Sequence, residues 1–293
     1  MFLGTYSKLI FLGDSNSDNG NVFRLTENTH PSPPEIYWNG RYSDGKTWTD
    51  HLSHFSDGQS LNLAYGCATI DNSLVSGTVP MPDGSRTEVP SVADQVAQLR
   101  SLAGHLNPSE LVFIQVGSND LNSLVYPGPT YQVKQDFTPE ILAQKLAESV
   151  KTLCVDLGAC NVVIMNVRPR EQYPGILATG DPGIIQKSLT DTIALNQAIA
   201  SEMAKLQDKI GDRCRIMVFD TYSFQKSITM NPAAAGIDPD WQIPVYSEPS
   251  SANASTIHSD SKPRLFVDAA HLGKRAQALL AAEVVKVLIL ANA

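Results

Sequence analysis

Five short apolar runs, at residues 8–12, 61–64, 111–116, 161–167 and 215–219, recur along this chain, and each stops at a glycine, a charge or a polar turn. Runs this brief, with little polar interruption, read as strands buried on both faces. The segments between them repeat their apolar residues at helical spacing. Ser91 caps a helix whose Val92, Val96, Leu99 and Leu102 form one apolar face, and segment 137–157 sets Ile141, Leu142, Leu146, Val150 and Leu153 on one side. Further helices are expected at 44–55, at 184–206 and from just after His271 to residue 290. Alternating strands and helices require parallel pairing through right-handed crossovers, with helices on both sheet faces. The expected fold class is therefore α/β: one three-layer α/β/α sandwich over 1–293, built on a five-stranded, mainly parallel sheet. Residues 231–267, rich in Pro, Ser, Ala and Asn, read as a long surface excursion.

The charge balance narrows the partners. With 22 basic and 30 acidic residues the chain carries −8, and no run of Lys and Arg breaks the pattern. Counterion release, which drives nucleic-acid binding, is not available to such a surface, so no nucleic acid and no anionic membrane is expected. No stretch approaches the ~20 apolar residues that a transmembrane segment needs. Segment 276–291 carries Gln277, Glu283 and Lys286 at helical intervals and reads as a buried helix. Thr5, Ser7 and Lys8 interrupt the first twelve residues, which do not read as a signal peptide; the expectation is a cytoplasmic chain, with secretion after loss of a leader as the alternative. The four cysteines, Cys67, Cys154, Cys160 and Cys214, form no CxxC pair. Each reads as a buried thiol, with a Cys154–Cys160 bridge the alternative in an oxidising compartment. One glycosylation sequon, Asn253-Ala-Ser255, is present.

Ligands of open parallel sheets sit beyond the carboxyl ends of the strands. The residues there are Asp14-Ser15, Tyr65-Gly66, Ser118-Asn119, Arg168 and Asp220. The first lies in Phe11-Leu-Gly-Asp-Ser-Asn-Ser-Asp-Asn-Gly20, which has three readings. Asp14, Asn16 and Asp18 alternate as in a calcium loop, yet the sixth loop position is Asn19 instead of Gly and the twelfth is Leu25 instead of Glu. A polar turn without chemistry is the second reading. The third is a nucleophile turn that lifts Ser15 out of the strand end, and it requires a base and oxyanion donors elsewhere.

Gly13-Asp14-Ser15 near the N-terminus resembles the first block of the GDSL esterase/lipase family, the SGNH hydrolases. Three further segments resemble the later blocks in the family's order: Asn62-Leu-Ala-Tyr-Gly66, Gly117-Ser-Asn-Asp120 and Asp268-Ala-Ala-His271. Asn39-Gly-Arg-Tyr-Ser-Asp-Gly45 is similar to a segment of the lipase-like branch. The matches run from residue 11 to 271, each at an expected strand end or just before the last helix. The resemblance implies a flavodoxin-like SGNH hydrolase fold and a carboxylic ester hydrolase that uses no cofactor and no metal. Three departures stand out. Asn16 replaces the family's Leu, Cys67 stands where the lipase-like branch has Gly, and Leu272-Gly273 follows His271 where Pro-Thr or Pro-Ser is frequent.

The resemblance assigns Ser15 as nucleophile, His271 as base and Asp268 as the group that orients the imidazole. It places the oxyanion hole at the backbone N–H groups of Ser15 and Gly66 and the side chain of Asn119. Acyl transfer needs these residue types: a hydroxyl to attack, a base to take its proton, and neutral donors facing the developing oxyanion. Each residue also has a purely structural reading, since Ser15, Gly66 and Asn119 suit turns and Asp268 suits a helix cap; order and placement together favour chemistry. His51 and His54 share a helix face without a third metal ligand, His105 suits a helix end, and His30 and His258 fall in loops with no identifiable role. No GxSxG elbow is present, which disfavours an ordinary α/β-hydrolase. The expected partner is a small ester, either a short acyl ester, an acetylated sugar or a lysolipid, with acyl transfer or a binding module without turnover as alternatives. Loops 67–90, 121–136, 168–183 and 231–264 would shape the pocket, with Tyr126, Tyr173, Trp241 and Tyr246 as candidate lining.

Overall fold

The computed structural model describes residues 6–55, 59–126, 128–247, 255–258 and 262–291; the sequon at Asn253 lies outside them. The strands that frame the site are, in chain order, β1 (Lys8–Gly13), β2 (Gln59–Asn62), β3 (Val75–Pro80), β4 (Arg86–Glu88), β5 (Glu110–Gln115), β6 (Tyr131–Val133), β7 (Asn161–Met165) and β8 (Arg215–Phe219). Five of them form the central sheet in the order β2-β1-β5-β7-β8, every pair parallel. This is the three-layer α/β/α fold expected from the alternation of apolar runs.

Pleating divides the strand residues between two cores. Ile10, Leu12, Val112, Ile114, Val162 and Ile164 face the helices Val92–Ala103, Pro139–Lys151 and Pro182–Ile210. Leu9, Phe11, Leu111, Phe113, Val163 and Met165 face the helices Trp48–Phe55, Thr221–Met230 and Lys274–Ala291. In the second core Phe11 stacks on Phe113 at 5.4 Å, and the Trp48 ring meets Phe11 edge-on. Among the described residues no helix is long and apolar enough to cross a membrane.

Local chemistry explains where the elements differ from the sequence expectation. The helix expected over 44–55 begins only at Trp48, because Thr47 and Asp50 cap its first turn reciprocally. The helix expected over 137–157 is regular over Pro139–Lys151 and continues as a π-turn, Thr152–Asp156. Ser91 does cap its helix, in a capping box with Asp94. Residues 67–90 and 121–136 are not only loops: they contribute the antiparallel sheet β4-β3-β6. The Cys154–Cys160 pairing is also corrected. Cys154 is bonded to Cys214, with Cα atoms 5.6 Å apart, whereas Cys160 is free. Cys154 and Cys214 share one core, and the fold brings them together across 60 residues, which outweighs proximity in sequence.

β1 ends in a constraint that sets up the site. Gly13 has φ +133°, and a Cβ there would lie 2.0 Å from the carbonyl oxygen of Gln115. Its N–H donates to Gln95 Oε1 at 2.7 Å, and Gln95 Nε2 donates back to its carbonyl at 2.9 Å. Glycine alone permits this approach of β1 to β5. Gly13→Ala is expected to destabilise the protein by at least about 3 kcal/mol, the upper range for a strained backbone position; an unchanged urea midpoint would contradict the close approach.

Candidate active site

The chain leaves β1 through a tight turn in which the N–H groups of Ser17 and Asp18 both donate to the Asp14 carbonyl at 3.0 Å. This turn presents Ser15 beyond the sheet's carboxyl edge. Asp18, fully buried, closes the loop from behind. One carboxylate oxygen accepts the N–H of Gly20 and Asn21, and the other accepts those of Val22 and Gly66. The acidic alternation that resembled a calcium loop is thus folded onto its own backbone donors.

The second loop arrives from the far end of the chain. The N–H of Val267 donates to the His271 carbonyl at 2.8 Å, closing a turn whose interior is the Asp268 carboxylate. Asp268 Oδ1 accepts the backbone N–H of Ala270 and of His271, at 2.9 and 2.8 Å. Its Oδ2 faces His271 Nδ1 at 2.7 Å and accepts the Tyr37 hydroxyl at 2.7 Å. Burial pushes this carboxyl up, but the His271 imidazole, the Ala270 N–H and the Tyr37 hydroxyl outweigh it and hold the group down at about 2. His271 Nε2 lies 2.8 Å from Ser15 Oγ. Residues 15, 268 and 271, remote in sequence, thus form one hydroxyl–imidazole–carboxylate line at the positions the sequence singled out.

The donors facing Ser15 differ from expectation at one position. The Gly66 N–H, expected in the oxyanion hole, is committed to Asp18 at 2.9 Å. Glycine is needed at 66 for packing, because a Cβ there would lie 2.3 Å from the Tyr42 hydroxyl. The next residue, Cys67, adopts φ +65°, a left-handed conformation that favours glycine. Among the described residues the N–H groups of Ser15 and Cys67 have no hydrogen-bond acceptor. Asn119 donates one amide hydrogen to the Ala68 carbonyl at 2.8 Å, and its oxygen accepts the Tyr131 hydroxyl at 2.7 Å. These bonds fix the amide orientation and leave its second hydrogen available.

A cavity of about 270 Å³ opens beside His271, lined by His30, Tyr37, Tyr42, Cys67 and Arg86 among others. Burial, and then the positive charges of His271 and Arg86, push His30 down to about 4, so it stands neutral in this wall at neutral pH. None of the four aromatics expected to line the pocket lies in this cavity. Tyr173 is buried, Trp241 packs on Phe266, Tyr126 is partly exposed, and Tyr246 lines a separate depression of about 620 Å³ against Ala269. Sequence reasoning missed Tyr37, Tyr42 and His30. Their cue was the 39–45 segment that resembles the lipase-like branch, which Tyr42 belongs to and Tyr37 adjoins. Among the described residues no group of three or more His, Cys, Asp or Glu is arranged to hold a metal ion.

Fold and site define a hydrolase-type α/β architecture with a serine at the end of its first strand. Residues 9–284 match the family of GDSL-like lipases and acylhydrolases, and the chain belongs to that family. It is 25% identical over 284 residues to an acetylesterase of Thermothelomyces thermophilus, covering 93% of this chain and 85% of that one. It is 24% identical over 234 residues to the thermolabile hemolysin of Vibrio parahaemolyticus, covering 78% of this chain. The chain spans about half (49%) of the length of the hemolysin. Its fold resembles that of an enzyme from the metagenome of Lake Arreo described as an alpha/beta hydrolase, with a TM-score of 0.51, 12% identity and coverage of 98% of both chains.

The packing role of Gly66 is open to test. Gly66→Ala is expected to lose about 1–3 kcal/mol of stability through overpacking against Tyr42. Adding it to Tyr42→Ala, which removes the obstructing ring, should cost little more than Tyr42→Ala alone. Full additivity in thermal unfolding would show that the Tyr42 contact is not the reason for glycine.

Proposed function

We propose that the chain is a serine esterase that works through an acyl-enzyme on Ser15. The observation that carries this reading is the continuous line from Ser15 Oγ to His271 Nε2 at 2.8 Å and from His271 Nδ1 to Asp268 Oδ2 at 2.7 Å. Asp268 holds the proton on Nδ1, leaving Nε2 as the acceptor for the serine proton. Ser15 Oγ then attacks the ester carbonyl carbon. The oxyanion that forms is met by the N–H groups of Ser15 and Cys67 and the free amide hydrogen of Asn119, with Cys67 taking the role the resemblance gave to Gly66. On collapse, His271 returns its proton to the departing alcohol. Water attacks the acyl-enzyme with His271 again as base, which frees the acid and restores Ser15.

Short acyl esters, sugar acetates among them, are the proposed substrates. The cavity beside His271 is small, and its wall includes the hydroxyl, imidazole and guanidinium groups of Tyr37, Tyr42, Thr78, His30 and Arg86 beside Pro31 and Pro80, a surface suited to hydroxylated or acetylated groups. The acetylesterase relative supports the same class. A second reading, longer acyl chains on a lysolipid, is favoured by the larger depression beside Ala269, whose lining includes Leu177, Ile243 and Pro244. Transfer of the acyl group to an alcohol would share every step up to the acyl-enzyme. The Cys154–Cys214 bond supports an oxidising location, which favours the secreted alternative over the cytoplasm.

Turnover across p-nitrophenyl esters below their micelle thresholds separates the two substrate readings. The expected maximum of kcat/KM lies between acetyl and butyryl; a maximum at about eight carbons or more, where each buried methylene adds about 0.8 kcal/mol, would favour the lysolipid reading. Ser15→Ala and His271→Ala should each lower kcat by about 10⁴-fold or more with the fold retained, and Asp268→Ala by less. Half-maximal turnover in Ser15→Ala would remove it as nucleophile. Protonated His271 cannot accept the serine proton, while Asp268, held at about 2, stays ionised and His30, near 4, stays neutral through the assay range. Acidification from pH 8 to 5 should therefore lower kcat/KM; a flat profile would contradict a histidine base.

A further inference from the structure

We infer that Arg168 is a positioning residue that clamps the nucleophile loop to the base loop, with Asn16 as its partner beside Ser15. Arg168 follows β7 and is 2% exposed, and its charge acts on the buried Asp14 carboxylate without a direct ion pair. Burying a guanidinium is unfavourable unless its protons are taken up, and its hydrogen bonds reach three separate segments. One Nη2 proton goes to Asn16 Oδ1 at 2.8 Å and the other to the Ala270 carbonyl at 2.8 Å. Nη1 donates to Gln225 Oε1 at 2.8 Å on the helix Thr221–Met230, and the guanidinium lies 4.8 Å from the Tyr173 ring centre.

Two of these acceptors are immediate chain neighbours of the reacting side chains. Asn16 follows Ser15 and is itself held by Asp14, whose Oδ1 accepts both its N–H and its Nδ2 proton. Ala270 precedes His271 and donates its own N–H to Asp268. A single Nη2 therefore joins the loop carrying the hydroxyl to the loop carrying the imidazole, next to the 2.8 Å contact between them. The leucine usual at position 16 could not accept this bond, whereas Asn16 does. A planar fork anchored at both nitrogens holds two loops in register more tightly than an ammonium does. Misplacement of reacting groups by about 1 Å can lower a rate about 10²-fold.

The inference rests on Ser15 and His271 being the reacting pair, so Ser15→Ala serves as the control for that reading and the clamp is tested separately. Asn16→Ala removes the acceptor of Arg168 together with the Nδ2 donor to Asp14 Oδ1, and Arg168→Lys keeps the charge without the fork. With short p-nitrophenyl esters both are expected to lower kcat, by about 10-fold for Asn16→Ala and about 10²-fold for Arg168→Lys, with KM within about two-fold of wild type. Phosphonylation of Ser15 by a fluorophosphonate, which needs the hydroxyl–imidazole alignment but no substrate pocket, should slow in parallel. The double variant should fall by clearly less than the product of the two single losses, since the Arg168–Asn16 contact is lost in both. Wild-type kcat in folded Asn16→Ala, a loss confined to KM or to thermal stability, or fully additive losses would each overturn the clamp. If Arg168→Lys fails to fold, kcat and the phosphonylation rate of Asn16→Ala decide the matter, and wild-type values there overturn it.

Discussion

The site is organised by one buried carboxylate. Asp18 is fully buried, and among the described residues its carboxylate accepts four backbone hydrogen bonds, from the N–H groups of Gly20, Asn21, Val22 and Gly66. Burial pushes its carboxyl up, and the four donors oppose that push. Meeting all of them binds the turn after β1 to the turn after β2, just beyond the bond from the Tyr65 N–H to the Gly13 carbonyl at 3.0 Å. It also decides which backbone donors are left over. With Gly66 committed, Ser15 and Cys67 keep the free N–H groups, and Asn119 is held toward the same region by Ala68 and Tyr131.

A second layer of buried polar contacts sits around this arrangement. Gln115, at the end of β5, accepts from the Trp48 indole at 3.0 Å and from the Ser17 hydroxyl at 3.2 Å. Asn62 donates to the Ser17 carbonyl at 2.7 Å and accepts from the Ala64 N–H at 3.0 Å. Asp120 accepts the Ile70 N–H, and burial raises its carboxyl to about 7. Satisfied networks of this kind favour one loop geometry over many, because each alternative leaves a donor or acceptor unpaired away from water. The hydroxyl, the imidazole and the donors therefore reach their places before any substrate arrives, which is what electrostatic preorganisation requires.

Much of this was legible in the sequence, for identifiable reasons. β1, β5 and β7 are buried on both faces and leave continuous apolar runs; the partly exposed edge strands were visible too, β8 at its expected bounds and β2 over Gln59–Asn62 instead of 61–64. Ser15, Asn119, Asp268 and His271 stand next to strand ends or the last helix, where chain direction alone places them on one edge. The antiparallel strands β4 and β6 are three residues long and mostly exposed, too short to show a period. The Cys154–Cys214 pairing depends on a helix flank meeting a strand start in three dimensions, which spacing does not encode. The resemblance gives Gly66 the oxyanion role and marks Cys67 only as a departure from the branch's Gly. The conformation runs the other way: the left-handed residue is Cys67, and Gly66 is small because Tyr42 leaves no room.

On the proposed function Ser15 is the one activated hydroxyl, made so by the line through His271 to Asp268. Incubation of the intact protein with a fluorophosphonate, followed by mass spectrometry of the intact chain and its tryptic peptides, measures this directly. A single adduct is expected, located on Ser15 in the peptide spanning residues 9–24 and absent at the neighbouring Ser17. His271→Ala is expected to abolish the adduct while Ser15 remains present. An unmodified wild-type protein, or a stoichiometric adduct on any other residue, would contradict Ser15 as the nucleophile.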